Sequence, residues 1–154
     1  MTGEKQPTYD DAQLILRLYE LRREEKMREA RDWFMREFFP DNIEDFLAIL
    51  APGNPHNAHF RMVATYWDMV ASFAVRGPLN ADLLLESAGE LLLVWAKVAP
   101  FVAHVRETLS LPEYLRNLEE IIKLVDWAPR RIEWLNERFR IYREHLGKSS
   151  EVED

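Results

Sequence analysis

Apolar side chains recur along the chain at steps of three and four, and strict alternation is missing. The pattern predicts helices throughout and no strands, with six helical segments expected. The first starts at Asp10 or Asp11 and runs to about Phe39, where Pro40 stops it. Asp41 followed by Glu44 resembles a capping box for a short second helix, with Ile43, Phe46, Leu47 and Leu50 on one face. The Pro- and Asn-containing stretch 51–57 reads as loop, and a third helix runs from about Ala58 to Arg76 with Gly77 as a left-handed cap. Asn80 caps a fourth helix that continues to about Val98, where Pro100 kinks or restarts it. Ser110-Leu111-Pro112-Glu113 reads as the cap of a fifth helix. Trp127-Ala128-Pro129 marks a further break, and a sixth helix runs to about Leu146, with Gly147 ending it. Residues 1–9 are expected to be a flexible N-terminus, 10–147 one helical domain, and 148–154 a disordered acidic tail.

The helices differ in how much of their surface is apolar. In the third, polar residues are confined to a stripe of Arg61, Thr65, Asp68, Ser72 and Arg76. In the fourth, the stripe is Asp82, Glu86 and Glu90. Helices this apolar belong at a centre, so these two are expected to form an antiparallel hairpin at the heart of an all-α bundle. Gly89 lies inside the fourth segment, and close approach of another helix would explain it. The first helix carries Leu14, Ile15, Leu18 and Leu21 on one face, whereas Met27, Ala30, Phe34 and Phe38 lie on a face rotated by roughly 150–180°. Either the helix breaks at the charged run 22–26 between them, or its halves bury against different neighbours. Leu14, Ile15, Leu18 and Leu21 are therefore candidate contacts to a second subunit.

Composition narrows the function. The chain has 154 residues, 47% hydrophobic and 31% charged, which suits one globular domain. Cysteine is absent, so disulfides, thiolate chemistry and Cys-bound zinc are excluded, in keeping with a cytoplasmic protein. A net charge of −7 argues against nucleic acid as a general partner. The longest apolar stretch, Leu91 to Val105, is interrupted by Lys97, Pro100 and His104, and no membrane span or signal peptide is expected.

Candidate chemistry is sparse. His56 and His59 form an HxxH pair that, with Asp68 or His104, could bind a divalent metal. Loop histidines beside Asn and Pro are more commonly solvated turn residues, so no metal and no cofactor is expected. Glu86 and Glu90, four residues apart, could join Asp68 in acid–base work or cation binding. The simpler account pairs these carboxylates with Arg61, Arg76 or Arg106 in a polar seam. Arginines at 22, 23, 28 and 31, and at 130, 131, 138, 140 and 143, alternate with glutamates and read as solvated faces, with room for an acidic partner. Trp33, Trp67, Trp95 and Trp134 fall among apolar positions and are expected in the core, with Trp127 at a helix end. Phosphate loops and nucleophile elbows are absent, and no catalytic residue is identified.

Met27-Arg28-x-Ala30-Arg31-x-Trp33, Arg61-x-Val63, Trp67-x-Met69-Val70, Gly77-x-Leu79, Gly89-Glu90, Trp95, Pro100 and Arg106 carry a resemblance. Over roughly Leu18 to Trp127 the chain resembles an uncharacterised bacterial family catalogued only as a domain of unknown function. The resemblance implies a helical fold and nothing catalytic. Some members of that family look anchored by an N-terminal apolar helix, a feature not expected in this chain. The reading favoured here is a helical interaction or assembly module, a homodimer or a subunit with a protein partner. The alternative is a small-ligand or cation-binding bundle, up to an enzyme, using Arg61, Asp68, Glu86, Glu90 and Arg106.

Overall fold

The computed structural model describes residues 5–151 as eight α-helices, with no strand among them. In chain order these are α1 (Tyr9–Arg22), α2 (Glu25–Arg36), α3 (Ile43–Leu50), α4 (Asn57–Val75), α5 (Ala81–Ser87), α6 (Gly89–Thr108), α7 (Arg116–Leu124) and α8 (Ala128–Glu151). The all-α expectation holds. There are eight segments rather than six because two of the expected helices break.

The first break falls in the charged run. Arg23 closes α1, and Glu24 turns extended and caps α2 with its own carboxylate, which accepts the Met27 N–H at 3.0 Å. Each half then presents its own apolar face to the core. The second break is at Ala88, where α5 and α6 meet at 89°. Pro100, expected to kink this segment, lies inside α6, which continues past it to Thr108. Gly89 opens α6 at the bend, and a Cβ there would meet nothing within 4 Å, so no close helix approach accounts for it.

Smaller corrections share one cause: the capping group is not the expected one. Asn42, not Asp41, caps α3, accepting the Asp45 N–H at 2.8 Å. The 110–113 segment forms a turn, and α7 starts only at Arg116, after Leu115 adopts a left-handed conformation. Gly77, at φ +104°, closes α4 in the left-handed region as its sequence position required. At the C-terminal end, α8 passes through Gly147 to Glu151, and the remainder of the expected tail, 152–154, lies outside the described residues.

α4 is the central element, packed most extensively against α2 on one side and α7 on the other, while α8 lies along α6. Its buried positions Phe60, Val63, Ala64, Trp67, Val70, Ala71 and Ala74 form a stripe about 120° wide at ~100° per residue, and the half-buried Met62, Tyr66, Phe73 and Val75 widen the apolar face to more than half the circumference. An aromatic cluster locks four segments around it. Phe38 sits 4.7 Å from Phe34 and 5.3 Å from Phe60, and Phe46 lies 5.4 Å from Phe60 and 5.1 Å from Phe101 between ring centroids. Each such ring contributes roughly 1.5–3 kcal/mol by burial.

The chain's start is tied to its middle. Thr8 and Asp11 form a reciprocal capping box, with the Asp11 carboxylate accepting the Thr8 N–H at 2.7 Å. Its other oxygen accepts the Asn80 N–H at 2.9 Å, and the Lys5 carbonyl accepts the Asn80 side chain at 2.8 Å, fixing the start of α1 against the start of α5. The Thr8 and then the Asn80 N–H hold the Asp11 carboxyl below the usual carboxylate range. A depressed folded pKa contributes stability above the unfolded pKa and loses it as pH falls through the folded value. Asp11→Ala should therefore melt below the parent at neutral pH, the gap narrowing under about pH 4, which thermal denaturation across pH would read.

Candidate functional site

The polar residues singled out in the sequence do not converge. Glu90, in the first turn of α6, accepts two hydrogen bonds from Arg31 Nε, at 2.8 and 3.2 Å, and one from Trp67 Nε1 at 3.2 Å. Arg31 in turn donates through Nη1 to the Arg22 carbonyl at the end of α1. Glu90 is thus paired, as the simpler account required, but with Arg31 rather than Arg61, Arg76 or Arg106. The sequence concealed this because Arg31 lies on α2, 59 positions away.

Asp68 has a different task. Its Oδ1 accepts the Leu118 N–H at 3.1 Å and its Oδ2 the Asn117 side-chain amide at 3.2 Å. It therefore caps α7 from a neighbouring helix, at an N-terminus whose own Leu115 offers no side-chain cap. Arg106 braces the same end, donating from Nε to the Tyr114 carbonyl at 2.9 Å and from Nη1 to Glu119 at 3.4 Å. Glu90 and Arg106 stand at opposite ends of α6, about 24 Å apart at ~1.5 Å per residue. Arg61 and Glu86 are exposed. Of the five candidate residues, only Asp68 and Arg106 are brought together, at the start of α7, and Glu90, Arg61 and Glu86 lie apart from them on α6, α4 and α5.

The histidines are also dispersed. His56 stacks on Trp33 with ring centroids 5.0 Å apart, and His59 lies 5.9 Å from the same indole, whereas His104 is exposed on α6. Among the described residues no cluster of three or more His, Asp or Glu could hold a metal ion.

One buried cation escaped the sequence reading. Lys97 is only 2% exposed, deep within α6. Its Nζ donates to the Phe34 carbonyl at 2.6 Å and to Met35 at 3.4 Å, satisfying carbonyls of the last turn of α2, and sits 3.8 Å from the Phe39 ring centroid. Burial, and secondarily Arg143, push its pKa down to about 7. The one signal available was a lysine interrupting an otherwise apolar helix.

The α1 face proposed for a partner is largely occupied within the domain. Leu18 is buried, Leu14 and Ile15 pack partly buried on the core, and Leu21 is exposed. Outward-facing apolar groups occur elsewhere. Trp134, expected in the core, is 50% exposed on α8, and Trp127 at its start is 37% exposed. Arg131 lies 5.9 Å from the Trp127 ring centre and 5.7 Å from that of Trp134, and Arg138 covers Trp134 at 5.0 Å. No carboxylate among the described residues lies within ion-pair distance of either arginine. A period error hid this stripe, because Trp134 lies next to the buried row of Leu135 and Phe139 without sharing it.

Fold and surface together define an all-helical domain with a closed polar interior and an aromatic–basic outer helix. The model for the family described as a domain of unknown function (DUF4760) matches residues 7–127, and the chain belongs to that family. The match takes in α1 to α7 and ends at Trp127, where α8 begins. No curated protein and no solved structure matches the chain. No single helix among the described residues is long and apolar enough to cross a membrane.

Two expectations follow. Removing one partner of a partly buried, hydrogen-bonded ion pair leaves the other uncompensated, so Glu90→Ala should cost about 2 kcal/mol in chemical denaturation. A surviving stability within 1 kcal/mol of the parent, as an order-of-magnitude threshold, would show the junction to be dispensable. For Lys97 the folded pKa lies below the unfolded one, so the unfolded chain binds more protons between about pH 7 and 10.5. Parent stability should rise with pH across that window and be insensitive to Lys97 below it. Lys97→Met should flatten the rise, as urea titrations at several pH values would show.

Proposed function

We propose that the protein is a helical assembly module that pairs with a second copy of itself through the outward face of α8. The observation that carries the reading is the exposed stripe of Trp127, Arg131, Trp134 and Arg138, continued by the half-buried Ile141. Its members follow at steps of four, three, four and three, the spacing of a coiled-coil seam. Exposed tryptophans of this size are uncommon on a surface with no partner and are enriched, with arginine, at interfaces.

Charge and shape favour a copy of the chain running antiparallel. A parallel pair would set Arg131 against Arg131 and Arg138 against Arg138, stacking like charges along the seam. The antiparallel pair brings Trp134 of each subunit onto Arg138 of the partner subunit, so each guanidinium covers an indole on both chains. On the row beside the seam, Arg130, Glu137 and Glu144 are spaced by seven. Reversal sets Arg130 opposite Glu144 of the partner subunit and Glu137 opposite its own copy, both glutamates being bridged by Arg140 of their own chain. Such a contact is isologous and closes on itself.

The reading predicts a dimer by light scattering or native mass spectrometry at micromolar concentration. Trp134→Glu combined with Arg138→Glu should give a folded monomer, weakening association by about 30-fold or more, or ~2 kcal/mol. Leu16→Glu, on the exposed side of α1, should leave the dimer intact. A parent that is monomeric at all concentrations, or a double variant that still dimerises, overturns the proposal.

A further inference from the structure

Between them, α1, α4 and α5 enclose an apolar cleft of about 280 Å³. Ile15, Leu18, Val70, Leu84 and Ala88 form its walls. The polar groups along it are already directed elsewhere. The Tyr66 hydroxyl donates to the Leu18 carbonyl at 2.6 Å, the Trp67 indole N–H goes to Glu90, and the Ser87 hydroxyl donates to the Leu84 carbonyl at 3.2 Å. One charged group borders the cleft without such an engagement. The Arg22 guanidinium is held between two aromatic faces, 4.9 Å from the Tyr19 ring centre and 5.2 Å from that of Trp67. No carboxylate lies within ion-pair distance of it among the described residues.

The local charge count points the same way. Arg22, Arg31 and Glu90 all act on the Tyr66 hydroxyl, and the Glu90 carboxylate is taken by Arg31. Two guanidiniums stand against one carboxylate, leaving a positive charge at the edge of an apolar cavity. The guanidinium lies near both rings and keeps its N–H edge for in-plane hydrogen bonds, a geometry that a carboxylate matches with two. A ligand complementary to the whole arrangement has one anionic head for that edge and one unbranched apolar tail for the cleft.

We infer that the cleft between α1, α4 and α5 binds a free medium-chain carboxylate, its head group on Arg22 and its hydrocarbon chain between Leu18, Val70 and Leu84. The volume lies just below the ~300–1,000 Å³ of ordinary small-molecule sites, which selects a short single chain over a larger or two-chain amphiphile. Neither the carboxylate–Arg22 contact nor the tail's burial involves α8, so the inference stands independently of the dimer.

The test is isothermal titration of the purified full chain with sodium hexanoate, octanoate and decanoate, each below its micelle concentration. Each added methylene that enters the cleft should tighten binding by about fourfold until the cleft is full. Decanol and decyltrimethylammonium should bind at least tenfold more weakly than decanoate. Arg22→Gln should weaken decanoate by tenfold or more while circular dichroism stays helical, and Arg22→Lys should recover part of the loss. Leu84→Trp, which fills the cleft, should abolish binding. Because that variant is the one at risk of misfolding, the Arg22 pair decides the matter. Equal affinity for decanol, indifference to Arg22, tighter binding of the cationic amphiphile, or no dependence on chain length would each overturn the inference. The Trp134→Glu, Arg138→Glu variant should bind decanoate as the parent does, which separates a failure here from a failure of α8 pairing.

Discussion

The bundle turns on a single carboxylate. Glu90 stands where α6 begins, just after the chain has bent through 89°, and it holds Arg31 of α2 and Trp67 of α4 at once. Through Arg31 the same contact reaches the end of α1. Four helices are registered by one partly buried carboxylate whose oxygens are shared between a guanidinium and an indole N–H. Apolar packing could accommodate several offsets between these helices, but hydrogen bonds of 2.8–3.2 Å to a fixed guanidinium and indole accept far fewer.

The same logic recurs at other helix ends. Asp68 caps α7, Lys97 takes the last carbonyls of α2, and Asp11 holds the N–H at the cap of α5. Each cap comes from a different helix than the one it ends. Helix termini leave backbone groups without intrahelical partners, and short helices such as α5 and α7 have a large share of their residues in that position. Supplying the missing partners from across the core makes each short helix depend on the assembled fold, because isolated helices of this length are marginal in water.

Most of the polar interior is engaged in holding helix ends, although Arg106 Nη2 and the Nδ1 atoms of His56 and His59 are buried without a hydrogen-bond partner. The residues that looked most like a catalytic or cation-binding seam are bound to arginine, indole, amide and backbone, or lie exposed on separate faces. At the periphery stand arginines resting on aromatic rings with no carboxylate within ion-pair distance, on α8 and at the end of α1. An arginine on an indole keeps its in-plane donors available, so these are places where a partner or an anion gains contacts the domain does not already make.

Much of the fold was legible in local pattern. The three-and-four periodicity identified helices, Asn80 and Gly77 marked helix ends, and the apolar third helix was recognisable as the centre, because each depends on residues within a turn or two of each other. The reversal of apolar faces at residues 22–26 likewise announced a discontinuity, and Glu24 provides it. The candidate site was much less legible. Periodicity says which residues share a face but not where that face points, so the separate stripes holding Asp68 and Glu90, with Arg106, read as one polar seam, and Trp134 read as core. The sequence by itself thus determined the helical class, the ends marked by local caps such as Asn80 and Gly77, and the identity of the central helix. Only the tertiary structure decided that Glu90 meets Arg31, that Asp68 caps α7, that Lys97 is buried and that Trp134 faces outward. Those pairings span 50 or more positions, and their geometry is set by how the helices cross rather than by any spacing along the chain.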